Sequence, residues 1–255
     1  MIRLVPLSRL ARRCIFNILG RFSDARLQSL ITRIAIRRAK TLSPADGLRF
    51  LFGLEAAFYP VEGELAVAYG DGVHSKHRHT RYHEFFINRI RAGERVLDVG
   101  CGIGGVAYDV AENTGAEVVG VDLSEADIST ARLRYAHPRV RYVVGNVLRD
   151  LPDGSFDVVL LSNVLEHLPG RPDFLRRLQA AAKPARLLIR VPLFERDWRV
   201  PLRRELGVEW RLDPTHEIEY TLESFAQEMA EAGLIISHQE VRWGEIWAEA
   251  SKKVF

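Results

Sequence analysis

The stretch VLDVGCGIGG at residues 96–105 decides the fold. Its apolar, β-branched start predicts a buried strand, and the glycines that follow predict a tight turn into a helix. Gly100, Gly102 and Gly104 let the backbone turn sharply and let a ligand approach it without a Cβ in the way. A strand, a glycine-rich turn and a helix in this order are typical of the nucleotide-binding edge of a doubly wound α/β fold.

The chain after this stretch alternates between short strand patterns and helical patterns, which predicts a mainly parallel sheet with helices on both faces. Two final strands with a short connection at Trp243-Gly244 predict an antiparallel pair at the sheet edge. We therefore predict an α/β, doubly wound fold with an N-terminal helical extension. The predicted helices include Ser43–Tyr69, Lys76–Arg91 and Leu222–Ala232, and the predicted strands are Arg95–Val99, Glu117–Asp122, Val140–Val144, Phe156–Leu161, Arg186–Val191, Leu234–Val241 and Glu245–Val254.

The second predicted strand ends in an acidic residue, within the run VVGVD at residues 118–122. A carboxylate at this place, Asp122, can accept hydrogen bonds from both hydroxyls of a ribose. Gly100, Gly102 and Gly105 also fit the dinucleotide-binding pattern G-x-G-x-x-G, which alone is weak evidence. Asp98 argues against a dinucleotide, because it places a charge inside a strand that such folds keep apolar.

The run from Gly93 to Pro192 resembles the class I S-adenosylmethionine-dependent methyltransferases, especially the subgroup with an LDxGCGxG loop and an NxLEH run, here at residues 163–167. The resemblance implies S-adenosylmethionine as the cofactor. This chain has Asn at residue 146, where the family usually has Asp. The residues implied for cofactor binding are Asp98, Gly100, Gly102 and Gly104 at the methionine moiety, Asp122 at the ribose, Asn146 at the adenine amino group, and Ser162 and Asn163 near the methionine end.

Two histidines are candidates for catalysis. His167 follows the fourth strand and could remove the proton of an acceptor hydroxyl as a general base. It could instead only hydrogen-bond the fold, because Glu-His is common at this point of the resembling family. We expect His216, after the fifth strand, to lie beside His167 over the transferred methyl group, because both segments open at the same sheet edge.

A metal site is a further alternative at these residues. Ubiquinone-biosynthesis O-methyltransferases and small-RNA 2′-O-methyltransferases of the resembling family bind a divalent ion through a Glu-x-x-Glu-His run and a later His. In this chain Asn163 replaces the first Glu and would be a weaker, neutral ligand. We therefore assign no metal to the site.

Two basic segments could contact the ligands. Leu193–Tyr220, which we expect over the strand ends, carries five arginines and two tryptophans. This composition suits an acceptor with a phosphate, a carboxylate or a sugar ring, and it equally fits a solvated surface loop. The cluster Lys76–His83 is placed to close over the cofactor, where its basic groups could pair with the methionine carboxylate.

The first 40 residues differ from the rest of the chain in charge. They contain ten Lys/Arg and one acidic residue, a net charge of +9 in a chain whose total is +3. Apolar residues recur at helical spacing over residues 7–22, and Ser23 is a candidate N-cap for a second helix with apolar residues along Leu27–Ile34. The pattern fits attachment to an anionic membrane surface. A helical cap on the same protein and a partner helix are the alternatives.

Composition limits the remaining function classes. Residues 41–255 carry a net charge of −6, so we expect no nucleic-acid partner. Two distant cysteines indicate a reducing compartment, and we expect a cytoplasmic protein that is peripheral to the membrane if the N-terminal helices bind lipid. We expect a basic amphipathic helical extension at 1–75 and an S-adenosylmethionine-binding methyltransferase domain at 76–255.

The leading hypothesis is therefore S-adenosylmethionine-dependent O-methylation of a small-molecule, glycan or lipid-linked acceptor. An RNA or protein methyltransferase is one alternative. A non-catalytic S-adenosylmethionine-binding protein is another, because intact cofactor-binding residues indicate binding alone.

Overall fold

A seven-stranded sheet organises the structure, a computed structural model that describes residues 20, 22–150, 152 and 154–253. Within those residues the strands follow the order β3-β2-β1-β4-β5-β7-β6, and all pairs are parallel except those made by β7. The predicted doubly wound α/β fold is confirmed. The strands are β1 Arg95–Val99, β2 Glu117–Asp122, β3 Val140–Val144, β4 Val158–Ser162, β5 Arg186–Pro192, β6 Leu234–Arg242 and β7 Glu245–Lys252.

The strand order reverses between β1 and β4, and this reversal locates the edge of the sheet at which a ligand is expected to bind. From β1 the chain moves outward through β2 to β3, and it then returns to the other side of β1 to form β4 and β5. The carboxyl ends of β1 and β4 therefore lie side by side while their connections leave in opposite directions. In open α/β sheets this switch point is where ligands bind.

Helices cover both faces of the sheet. Side chains alternate along each strand, so Leu97 packs on one face and Val96 on the other. The first face also holds Phe174 and Phe225, and the second holds Val110. The described helices are α1 Asp24–Lys40, α2 Pro44–Tyr69, α3 Lys76–Thr80, α4 Tyr82–Ile87, α5 Gly105–Thr114, α6 Glu125–Arg134, α7 Arg171–Ala182, α8 Arg199–Glu205 and α9 Leu222–Glu231.

The single helix predicted over Lys76–Arg91 is wrong. Arg81 has a φ of 52°, in the left-handed region, and it ends α3 and starts α4. A left-handed residue interrupts the helical hydrogen-bond ladder, so two short helices form where the periodicity predicted one. The break lets Tyr82 reach the sheet side of the segment, where it is buried.

The β6–β7 hairpin is the predicted antiparallel pair, and β7 also pairs antiparallel with β5. The register of the hairpin shifts between Ile236 and His238. The strand predicted at Phe156–Leu161 begins two residues later, because Phe156 donates its N–H to the Ala182 carbonyl instead of to a neighbouring strand.

The chain divides into two compact units. One comprises the chain up to Val61 with Leu206–Val208, and the other comprises Glu62–Glu205 with Glu209–Phe255. The expected boundary near residue 75 stays a prediction. The helix predicted over residues 7–22 lies outside the described residues. No helix in the described part of the chain is long and apolar enough to cross a membrane.

Helix α1 begins directly after Ser23, which occupies the predicted N-cap position, although its side chain makes no capping hydrogen bond. None of the residues of α1 is buried. Its last turn carries Arg37, Arg38 and Lys40. Ile31, Ile34 and Ile36 are exposed as well, whereas Leu27 and Leu30 are half-buried.

Candidate functional site

A cavity of about 1180 Å³ lies at the switch point of the sheet. Its lining includes residues from the ends of β1, β4 and β5, from the glycine-rich turn, from α3 and α4, and from α5. Of the eight residues predicted to bind the cofactor, the cavity lining contains five: Asp98, Gly100, Gly102, Ser162 and Asn163.

The glycine-rich turn shapes the cavity floor. Gly102 has a φ of 53°, and a Cβ built on it would meet no atom within 4 Å. Gly104 has a φ of 88°, and a Cβ there would lie 2.6 Å from the hydroxyl oxygen of Tyr142. Gly104 is thus required by packing at the start of α5, whereas Gly102 leaves open space that a ligand can fill.

Asp98 is a buried carboxylate in the cavity wall. Its Oδ2 has no hydrogen-bond partner among the described residues. Burial, with a smaller contribution from the charge of Asp122, raises the pKa of Asp98 to about 7. Such a carboxylate fits the ammonium group of a methionine moiety, which would supply the missing donor and the opposite charge.

Asp122 supports the turn from the next strand. Its two carboxylate oxygens accept hydrogen bonds from the backbone N–H groups of Gly102 and Ser124, each at 2.8 Å. Asn146 accepts from the N–H of Leu148 at 3.0 Å. Asp122, Asn146 and Gly104 are not among the residues that line the cavity. Their predicted roles at the ribose, the adenine and the methionine moiety stay predictions.

Arg190 of β5 is a buried cation that the sequence reasoning missed. Its guanidinium donates to both carboxylate oxygens of Glu245, at 2.5 and 2.8 Å, and to the hydroxyl of Ser162 at 3.1 Å. It also lies 3.8 Å from the centre of the Tyr82 ring. These contacts hold the end of β4 and α4 together at the cavity wall. The available signal was an arginine in the interior of a strand, between the apolar residues Ile189 and Val191.

Most of the basic cluster Lys76–His83 lines the cavity, and its closure over the cofactor stays a prediction. The rings of His77 and His83 are 5.4 Å apart. Burial, and then the neighbouring charge of His83, lowers the pKa of His77 to about 4. Nδ1 of His83 lies 2.5 Å from a carboxylate oxygen of Asp109. Asp109 was missed, because a residue 26 positions away in another helix gives no local signal.

His167 and His216 lie next to each other, as predicted, with ring centres 4.6 Å apart. Nδ1 of His167 is 2.9 Å from the Thr215 hydroxyl, and Nδ1 of His216 is 3.2 Å from Glu219. Neither histidine is among the residues that line the cavity. Their catalytic roles stay predictions.

Glu166 completes a group that could hold a cation. One ligand atom from each of Glu166, His167 and His216 lies within 4.8 Å of the others. Both oxygens of Glu166 are buried without a partner in the described part of the chain, and burial raises its pKa to about 8. The chemistry of these three residues fits a divalent cation. The absence of a metal from the site stays a prediction.

Four of the five arginines of Leu193–Tyr220 contact partners within the segment. Arg196 pairs with buried Glu219 and donates to the Trp210 carbonyl at 2.9 Å. Arg211 pairs with Glu209. No residue of this segment is among those that line the cavity. These contacts stabilise the segment itself, so they give no support to its predicted role in acceptor binding.

Comparison with known proteins identifies similar sequences and a similar fold. The model of a family described as a methyltransferase domain matches residues 74–239. The chain is 30% identical over 159 residues to 2-methyl-6-phytyl-1,4-hydroquinone methyltransferase of Synechocystis sp., covering 58% of this chain and 49% of that protein. It is also 30% identical over 156 residues to ubiquinone biosynthesis O-methyltransferase of Rhodopseudomonas palustris, covering 58% of this chain and 61% of that protein.

A solved structure shows the same fold. Magnesium protoporphyrin IX methyltransferase from Synechocystis, with bound SAH, superposes with a TM-score of 0.55 at 18% identity, over 69% of this chain and 84% of that one. The chain thus spans 49% and 61% of the lengths of the two curated relatives and 84% of the solved structure.

Proposed function

This chain belongs to the methyltransferase domain family, and we propose that it transfers the methyl group of S-adenosylmethionine to a hydroxyl oxygen of a small-molecule acceptor. The observation that carries the proposal is the cavity at the switch point, which joins the buried carboxylate of Asp98 to the open turn at Gly102. A group with a cationic amine and a thin, extended chain fits these two features.

The chemistry of the residues agrees with that cofactor. S-adenosylmethionine, when bound, supplies an electrophilic methyl group on a positively charged sulfur. Asp98 would bind the ammonium, and the backbone at Gly102 would lie along the methionine chain without a steric barrier. The residues of the protein would then orient the acceptor oxygen and accept the proton of the acceptor hydroxyl.

The proposed acceptor class follows from the relatives. By their names, one acts on a hydroquinone and the other in ubiquinone biosynthesis. The first name contains a hydroquinone, which is a ring with two hydroxyl groups, and the second names an O-methyltransferase. A glycan and a lipid-linked molecule are the other proposed acceptor classes.

We also propose that the protein acts in the cytoplasm at the surface of an anionic membrane, which would bring it to a lipid-linked acceptor. Helix α1 exposes Ile31, Ile34 and Ile36 together with its basic residues. Ile31 and Ile34 lie on one face of α1 and Ile36 on the opposite face, so the first two form the apolar stripe that supports insertion at a lipid headgroup region.

His167 and His216 have a proposed role in positioning the acceptor oxygen. Their Nδ1 atoms are held by neighbours, so the Nε2 atoms remain for a ligand. With Glu166 they could hold a divalent cation, which would polarise the acceptor oxygen. Chelation tests whether a cation takes part.

Calorimetry with the purified protein tests the cofactor proposal. We expect one S-adenosylmethionine or S-adenosylhomocysteine site per chain. Asp122→Ala should weaken binding by about 1.5–3 kcal/mol, the scale of a lost hydrogen bond to a charged group. Glu125→Ala, an exposed acidic residue at the start of α6, is the control and should bind as the wild type does. Binding of a nicotinamide dinucleotide in place of S-adenosylmethionine would contradict the proposal.

A further inference from the structure

A histidine–carboxylate pair lies in the cavity wall. His83 of α4 and Asp109 of α5 both line the cavity, together with Asp98 and Gly102. Nδ1 of His83 is 2.5 Å from Oδ2 of Asp109, while Nε2 is buried and has no hydrogen-bond partner in the described residues. Buried polar atoms normally have partners, so an unpartnered ring nitrogen in a cavity wall is available to a bound molecule.

The imidazole of His83 is fixed by its surroundings. Its ring packs edge-on against Tyr82, with centres 4.3 Å apart, and lies 5.4 Å from the ring of His77. On another side it approaches Gly105, where an added Cβ would lie 3.7 Å from its Cε1. A ring held in this way keeps one orientation when a ligand binds.

Asp109 determines which nitrogen of His83 can accept a proton. An ionised carboxylate only accepts hydrogen bonds, so the short contact assigns the ring hydrogen to Nδ1. The lone pair is then on Nε2, the atom without a partner. Asp109 acts through His83 and is therefore a positioning residue.

We propose that this pair accepts the proton of the acceptor hydroxyl during the methyl transfer proposed above, on which this inference rests. The acceptor oxygen forms a bond to the methyl carbon, and the carbon–sulfur bond breaks with its electron pair remaining on sulfur. The hydroxyl proton moves to Nε2 of His83, and Asp109 stabilises the imidazolium through Nδ1–H. The products are the methyl ether and S-adenosylhomocysteine, and the pair afterwards releases its proton to solvent.

This site differs from the His167–His216 group. The pair His83–Asp109 belongs to the lining of the same cavity as the residues predicted to bind the cofactor, whereas His167 and His216 do not. The two groups can therefore be separated by substitution. His83 would take the proton whether or not the second group also contacts the acceptor.

The test compares His83→Gln and Asp109→Asn with matched controls in the full chain. His137 pairs with Glu112 at 3.2 Å, and neither residue lines the cavity, so His137→Gln and Glu112→Gln are the controls. With a series of ring-substituted catechols and hydroquinones as acceptors, His83→Gln should lower kcat by about 10²–10⁴-fold. Asp109→Asn should lower it by about 10-fold or more, and both should bind S-adenosylmethionine within about twofold of wild type.

The acceptor series identifies the role. Because an acidic hydroxyl is already ionised and needs no base, the loss in His83→Gln should shrink as the acceptor pKa falls below the assay pH. A structural defect would lower turnover equally for all acceptors. Nitrogen-15 NMR of the imidazole should show the Nδ1–H form in the wild type and its loss in Asp109→Asn.

Three results would overturn the inference. They are turnover of His83→Gln equal to that of wild type, an equal loss across the acceptor series, and a loss of cofactor affinity at unchanged kcat, which would assign His83 to the methionine carboxylate. Folding of each variant is checked by circular dichroism, and Asp109→Asn gives an independent result if His83→Gln does not fold. A wild type that binds S-adenosylmethionine but methylates no acceptor in the series would instead contradict the proposed function, and the inference with it.

Discussion

At the scale of single residues, Asp98 links the chemistry of the site to pH. It is buried at the end of β1, one of its oxygens has no partner among the described residues, and its pKa is raised to about 7 by burial and by Asp122. The carboxyl group is therefore partly protonated at neutral pH in the unbound protein. Binding of an ammonium group favours the ionised form, so binding and proton release are coupled.

We expect the affinity for S-adenosylmethionine to rise with pH until the carboxyl is fully ionised, and to fall by up to about tenfold per pH unit below pH 7. Calorimetry at pH 6 in buffers with different ionisation enthalpies should detect release of a proton on binding. Asp98→Asn should abolish this release and weaken binding. Asp173→Asn, at an exposed acidic residue of α7, should retain it. An affinity that does not change between pH 6 and pH 8 would contradict the assignment.

His167 and His216 lead to a second prediction. Burial, and then the nearby His216, lowers the pKa of His167, so its imidazole is neutral at the pH of the assay and can act as a ligand or an acceptor. His167→Ala and His216→Ala should each reduce turnover by about 10²–10⁴-fold without changing cofactor affinity. Activity that survives exhaustive chelation would exclude a required metal and leave the histidines as hydrogen-bonding or basic groups. Unchanged turnover in both variants would remove the pair from the site.

At the scale of elements, strands were predicted well because their signals are local. The bounds of β1, β2 and β3 match the prediction, since each is a short apolar run between turn signals. The break at Arg81 was not predictable in the same way. Arginine is an ordinary helix former, and its left-handed conformation goes with the burial of Tyr82 under Arg190, a contact between distant parts of the chain.

The candidate site also combines residues with a local sequence signal and residues that only contacts between distant parts of the chain bring together. Asp98, Gly100 and Gly102, which line the cavity, could be predicted as candidates because one continuous motif contains them. The pairing of His83 with Asp109 and of Arg190 with Glu245 was missed, because each joins two elements that only the folded chain brings together. Residues that bind a ligand through a motif can be read from sequence, whereas residues that shape the cavity depend on packing.

The glycine-rich turn allows a test of packing against ligand binding. Gly102→Ala should destabilise the fold by only about 1–2 kcal/mol, the cost of a left-handed alanine, and should block the ligand. Gly104→Ala should be more destabilising, because its Cβ would also overlap the hydroxyl of Tyr142. Chemical denaturation and calorimetry on both variants check this order. Normal cofactor binding by Gly102→Ala would show that the turn does not contact the ligand.

At the scale of the whole molecule, the charge of the N-terminal 40 residues predicts how the protein behaves near lipid. We expect sedimentation with vesicles that contain anionic lipid, and weaker binding at high salt because counterions screen the surface charge. Replacing exposed Ile31 and Ile34 of α1 with Glu should abolish most of this binding. Ile235→Glu is the control, since Ile235 is as exposed, at 48%, as Ile31, at 49%. Equal sedimentation of both variants would argue for a role of α1 other than membrane attachment.

The two borders of the sheet also have a consequence for behaviour at high concentration. An unpaired outer strand is a template on which another chain can add by backbone hydrogen bonding. Here β3 is only five residues long and exposes Arg141, and β6 carries the register shift after Ile236 together with the exposed, charged Arg242. Short length, charge and irregular register all disfavour such addition. We therefore expect little edge-to-edge aggregation through β3 or β6.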